Sequence, residues 1–108
     1  MPEVQQYPKP TYKKARKTKY PPLFELGYCW NCHRETGLER HHIYGGNPDR
    51  QHSERYGLYV SLCHICHRSV TDEKDRELID RLKMEGQRRF QVVHGAGEFE
   101  RVFGRNYL

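Results

Sequence analysis

The chain has 108 residues, 35% hydrophobic and 31% charged, with a mean hydropathy of −1.04. That length fits one small domain, and so thin an apolar supply predicts a core that needs a metal or disulfides to hold. No run of about 18 apolar residues exists, which excludes a membrane-spanning helix, and Met1 to Gln6 hold no apolar segment of the secretory kind. The net charge is +5, and residues 1–20 account for all of it, with Lys9, Lys13, Lys14, Arg16, Lys17 and Lys19 set against Glu3.

Residues 1–22 hold five of the six prolines, together with Tyr7, Tyr12 and Tyr20. Proline forbids a long helix and the lysines repel one another, so a flexible basic arm is predicted over 1–22, followed by one domain over 23–108. The six basic side chains of the arm suit sequence-independent phosphate contacts, with the tyrosines available for stacking on bases. The plainer role for such a segment is a solvated tail.

Residues 23–37 read as a polar loop around Cys29-Trp30-Asn31-Cys32. Leu38 to Tyr44 predict a first strand, and Gly45 to Asp49 a turn that continues as a loop through residues 50–57. Leu58 to Leu62 predict a second strand, which runs into Cys63-His64-Ile65-Cys66-His67. Ser69 to Thr71 offer a helix cap, Asp72, Glu73 and Asp75 suit a first turn, and Leu78, Ile79, Leu82, Phe90 and Val93 keep helical spacing. One helix over roughly 72–93 is therefore predicted, with Gly86 as its weak point. Gly95 to Gly97 end it, and Phe99, Val102 and Phe103 predict a short closing helix. The basic residues of the long helix (Arg76, Arg81, Lys83, Arg88, Arg89) alternate with acids and read as a solvated face. Trp30 reads as a small-core plug, His33 and His64 as surface residues, and His52 and His94 as solvated.

The two Cys-x-x-Cys pairs are separated by thirty residues. Each pair sets two thiols on one knuckle, and two knuckles brought together give the tetrahedral sulfur donor set that suits Zn²⁺. Cys29, Cys32, Cys63 and Cys66 are thus the expected ligands of a structural zinc, in a cytoplasmic protein with reduced thiols. Both pairs are also followed by His33 or His67, which makes each a c-type haem attachment signature. A dihaem electron carrier with His41 and His42 as sixth ligands is the third reading, and such attachment calls for an export signal.

His41 and His42 stand near the end of the first predicted strand, and His67 near the start of a helix packed on the hairpin. Glu39-Arg40-His41-His42-Ile43, the Gly45-Gly46 loop and Leu62-Cys63-x2-Cys66-His67 resemble the HNH endonucleases of the ββα-metal (His-Me finger) superfamily. The likeness is to small phage-type members, some of them linked to recombination, and it covers about residues 26–70. It implies an α+β fold: a small zinc-stapled ββα-metal, treble-clef-like domain with a C-terminal helix. It also implies a metal-dependent endonuclease acting on DNA. In that scheme His42 matches the base that activates water. His41, in place of the family's usual Asp, and His67 match ligands of a catalytic divalent cation such as Mg²⁺. The family's middle Asn, which helps to orient the base, falls at Leu58, so Asn47, His52 or a backbone carbonyl is left to take that part. A non-catalytic zinc module that binds nucleic acid is the alternative expectation.

Overall fold

The computed structural model describes residues 20–108. Lys9, Lys13, Lys14, Arg16, Lys17 and Lys19, expected to contact nucleic acid, lie outside the described residues.

Two antiparallel strands form the centre, β1 (Leu38–His42) and β2 (Tyr59–Cys63). Their register sets Leu38 opposite Cys63 and His42 opposite Tyr59. Among the described residues four helices accompany this hairpin: α1 (Asp49–Tyr56), α2 (His64–Thr71), α3 (Arg76–His94) and α4 (Glu98–Phe103). The architecture is a small mixed α+β fold. Among the described residues, no helix is long and apolar enough to cross a membrane.

Three elements differ from the sequence expectation. Residues 49–56 form a helix where the turn residues predict a loop. The segment Asp49-Arg50-Gln51-His52-Ser53-Glu54-Arg55-Tyr56 has no apolar stripe, so periodicity could not reveal it. Its inner face is held instead by Ser53, fully buried, whose hydroxyl donates to the Tyr44 carbonyl (2.9 Å) and accepts from the Tyr44 N–H (3.2 Å). The long helix begins at Arg76 and not at residue 72. Asp75 caps it by accepting the Leu78 N–H at 3.1 Å, and Glu73 just before takes a left-handed φ of 57°. A separate helix, α2, starts inside the second cysteine knuckle and ends at Thr71. The first strand also stops at His42, and Ile43 and Tyr44 turn inward to 3% and 2% exposure.

The core lies between the hairpin and α3. Leu58, Val60 and Leu62 from the second strand region meet Leu78, Leu82 and Phe90. Gly86 makes room for Tyr44: a Cβ there would stand 2.7 Å from the Tyr44 hydroxyl. That hydroxyl donates to the Lys83 carbonyl at 2.6 Å. The α4 helix closes the far end, with Tyr44 ring contacts to Phe99 at 5.2 Å and Phe103 at 4.8 Å. Aromatic pairs at such distances each add roughly 0.5–1.5 kcal/mol beyond simple burial.

Backbone pairing fixes the segment that leads into the domain. The Tyr20 N–H donates to the Arg55 carbonyl, and that of Leu23 to the Gly57 carbonyl, both at 2.9 Å. Gly57 adopts φ 73°, and any Cβ there would collide with the Pro21 carbonyl.

Candidate functional site

The first cysteine knuckle is a tight turn. The His33 N–H donates to the Cys29 carbonyl at 2.9 Å, and the Cys32 N–H points at the Cys29 sulfur at 3.5 Å. The turn docks on β2, because the Trp30 N–H donates to the Ser61 carbonyl (2.8 Å) and the Ser61 hydroxyl to the Leu26 carbonyl (2.6 Å). The second knuckle starts where β2 ends and α2 begins. All four cysteines are free thiols, and their sulfurs lie within 4.8 Å of one another. A zinc tetrahedron with Zn–S of about 2.3 Å has sulfur–sulfur edges of about 3.8 Å. The Cys32 and Cys63 sulfurs stand 3.6 Å apart.

The donor set therefore fits a metal ion, and its surroundings favour thiolate in part. Burial pushes the Cys29 thiol up, but the N–H groups of Cys32, Cys63 and Asn31 outweigh it and bring it below the usual thiol value. The Cys66 N–H likewise lowers Cys63. Burial pushes Cys66 up to about 12, against the Asn31 amide that donates to its sulfur at 3.3 Å. Trp30 is partly buried against the hydrophobic core, edge-on to Phe24 at 6.5 Å, and the Arg81 guanidinium lies 5.0 Å over its ring. Convergence of all four sulfurs on one point leaves no separate thiol pairs for two haems.

His41 and His42 leave β1 on opposite faces, as strand neighbours do. The structure brings His41 to His67 of α2, with ring centroids 5.2 Å apart. His42 instead meets α1, with its Nε2 2.7 Å from Glu54 Oε1. Because β1 ends there, both histidines still line one pocket of about 180 Å³, together with Thr71, Glu73, Arg76 and Lys83. Burial, helped by the neighbouring His67, His42 and Lys83, brings the His41 pKa down to about 4, so this ring is neutral near pH 7. A neutral imidazole is the form that ligates metals.

His67 is held by a carboxylate on its outer side. Its Nδ1 lies 2.7 Å from Glu39 Oε1, and the His64 Nδ1 lies 3.4 Å from the other oxygen. The hydrogen bond from His67 lowers the Glu39 carboxyl below the usual range. An ionised carboxylate only accepts, so His67 Nδ1 is the donor in this bond and Nε2 is the ring nitrogen not committed to Glu39.

Glu39 and Glu54 are the residues that sequence reasoning misses as partners of the histidines. Glu39 stands inside the HNH-like motif and carries a signal, since it lies two residues before His41 on β1. Glu54 carries none, because its helix is itself unreadable. It is the side chain that hydrogen-bonds His42, where Asn47, His52 or a backbone carbonyl is expected. Leu58, at the position where the resemblance expects an orienting Asn, is fully buried core. His52 packs edge-on to Phe103 at 5.6 Å. His94 is not solvated either, since its ring lies 4.6 Å from Phe90 and 4.7 Å from Tyr20. The basic side chains of α3 also do more than face solvent: Arg76 and Lys83 line the histidine pocket, and Arg89 donates to the Leu23 carbonyl at 2.8 Å.

No protein-family model, curated protein or solved structure matches this chain.

Proposed function

We propose that this chain is a metal-dependent endonuclease of the HNH type that hydrolyses DNA phosphodiester bonds, with a structural Zn²⁺ on Cys29, Cys32, Cys63 and Cys66. The observation that carries this reading is the placement of His41, with the His67 ring 5.2 Å away and His42 lining the same pocket as His41, and the four-thiol cluster at the base of the same hairpin. His41 and His67 would offer two ring nitrogens to a divalent cation such as Mg²⁺. When bound, that cation neutralises charge on the phosphate and on the leaving oxygen.

The rest of the chemistry falls to the protein. A water in the pocket gives its proton to His42, and its oxygen forms a bond to phosphorus. The bond from phosphorus to the 3′-oxygen breaks, and that oxygen takes a proton from solvent. A positioned imidazole supplies about 10²–10⁴-fold to such a step. Lys83 and Arg76 bring positive charge to the pocket that would receive the phosphate. The basic arm, with Lys9, Lys13, Lys14, Arg16, Lys17 and Lys19, adds contacts to the backbone of the duplex, which carry no sequence information. The resemblance to phage-type recombination nucleases supports a role in processing phage DNA, in the cytoplasm.

The test is nicking of supercoiled plasmid by the full chain with Mg²⁺ or Mn²⁺, and its loss with a chelator that leaves zinc in place. Cation-dependent nicking is the expected result. DNA binding without nicking under every cation would favour the alternative, a non-catalytic zinc module on nucleic acid.

A further inference from the structure

His42 has one nitrogen already committed. Its Nε2 meets Glu54 Oε1 at 2.7 Å, and the two side chains are only 18% and 21% exposed. Burial pushes the Glu54 carboxyl up, but hydrogen bonds from His42 and Arg40 outweigh it and hold it below the usual carboxylate range. A carboxylate has no proton to donate, so the proton of this bond belongs to Nε2.

Glu54 is itself braced. Arg40 Nη1 donates to its other oxygen at 2.9 Å, and the same guanidinium lies 4.0 Å over the ring of Tyr59. Tyr59 is buried and is the strand partner of His42. The four residues therefore form a closed frame across β1, β2 and α1: Tyr59 under Arg40, Arg40 on Glu54, Glu54 on His42, and His42 beside Tyr59 with ring centroids 6.0 Å apart. Packing fixes the position of Glu54, and its carboxylate fixes the ring.

We infer that Glu54 is the positioning residue of His42: it holds the imidazole as the Nε2–H tautomer and leaves Nδ1 as the acceptor for a proton in the pocket. This inference rests on the nuclease reading for its consequence in catalysis, but its structural content stands apart from it. It also gives α1 a purpose, since a polar helix with little apolar surface is kept in place by Ser53 and delivers Glu54.

The experiment combines two readouts on the full zinc-loaded chain and on Glu54→Ala and Glu54→Gln. Proton–nitrogen correlation spectra of the imidazoles at neutral pH report the tautomer, and plasmid nicking at saturating cation reports kcat and KM. The parent should show His42 protonated on Nε2, with a slowly exchanging proton. Glu54→Ala should lose that protection and about 10- to 100-fold in kcat, the scale on which removing an orienting partner acts, with KM for DNA unchanged. Glu54→Gln, whose amide oxygen accepts the same bond, should retain the protection and most of the rate. A parent spectrum with the proton on Nδ1, or a Glu54→Ala protein with parental kcat, would overturn the inference. A parent that never nicks would defeat the nuclease reading alone, and the spectra would still decide whether Glu54 sets the tautomer. If Glu54→Ala fails to fold, the parent and Glu54→Gln spectra carry the same decision.

Discussion

The cysteine sulfurs find their partners within and between the two knuckles, Cys29 at the Cys32 N–H and Cys66 at the Asn31 amide, whereas two of the three clustered histidines draw theirs from carboxylates twelve and twenty-eight residues away. Both clusters stand on the same hairpin and helix. The thiol cluster is held by its two knuckles, by the Asn31–Cys66 bond between them and by docking of the first knuckle on Ser61. The histidine cluster needs the strand ends, α1 and α2 to be in place before Glu54 and Glu39 can act. On the proposed reading one cluster builds the fold and the other is built by it, so perturbing each should leave different traces.

Breaking the thiol cluster should have the largest effect. Cys63→Ser removes a buried sulfur at the junction of β2 and α2. In such modules the metal contributes folding energy directly, on the order of 10 kcal/mol or more. Zinc content should fall to background and the cooperative melt should disappear, as read by elemental analysis and circular dichroism. Unchanged zinc and melting temperature would show that the cluster is not what holds the domain.

Disturbing the histidine cluster should leave the fold alone. Glu39→Ala removes the carboxylate on the His67 Nδ1. Loss of such an outer partner typically costs about 10- to 100-fold in metal affinity. The Mg²⁺ concentration for half-maximal nicking should rise by that factor, while zinc content and melting stay at the parent values. A melting loss as large as that of Cys63→Ser would erase the contrast between the two clusters.

The smallest effect should come from residues that belong to neither cluster. Deleting residues 1–19 should lower DNA affinity equally for two unrelated duplexes and flatten its salt dependence. The slope of log K against log salt should fall by about 0.9 for each phosphate that the shortened chain no longer neutralises. Equal slopes for full and shortened chains would make the arm a solvated tail.

The same contrast explains what is legible in the sequence. Cys-x2-Cys repeats announce themselves because the knuckle is local and its spacing is the geometry. The second strand is legible from its β-branched and aromatic content, which suits a strand buried at every position, and the α3 helix from Leu78, Ile79, Leu82 and Phe90. Gly86, a weak point of that helix by propensity, proves to be the notch for Tyr44. The α1 helix is hidden because Ser53 and the Tyr44 backbone replace apolar burial with hydrogen bonds. With α1 hidden, the partner of His42 is hidden too. His94 reads as solvated for a related reason, since its ring lies among Tyr20, Tyr56 and Phe90, two of them far upstream in the chain.

The central claim is that His42 serves chemistry while the cysteines serve the fold, and His42→Ala addresses it most directly. The measurement is plasmid nicking by the parent and by this variant, with zinc content and duplex affinity determined on the same preparations. The expected result is at least about a 100-fold loss of nicking, the contribution of a general base, with zinc and affinity unchanged. A His42→Ala protein that nicks DNA at the parent rate would contradict it.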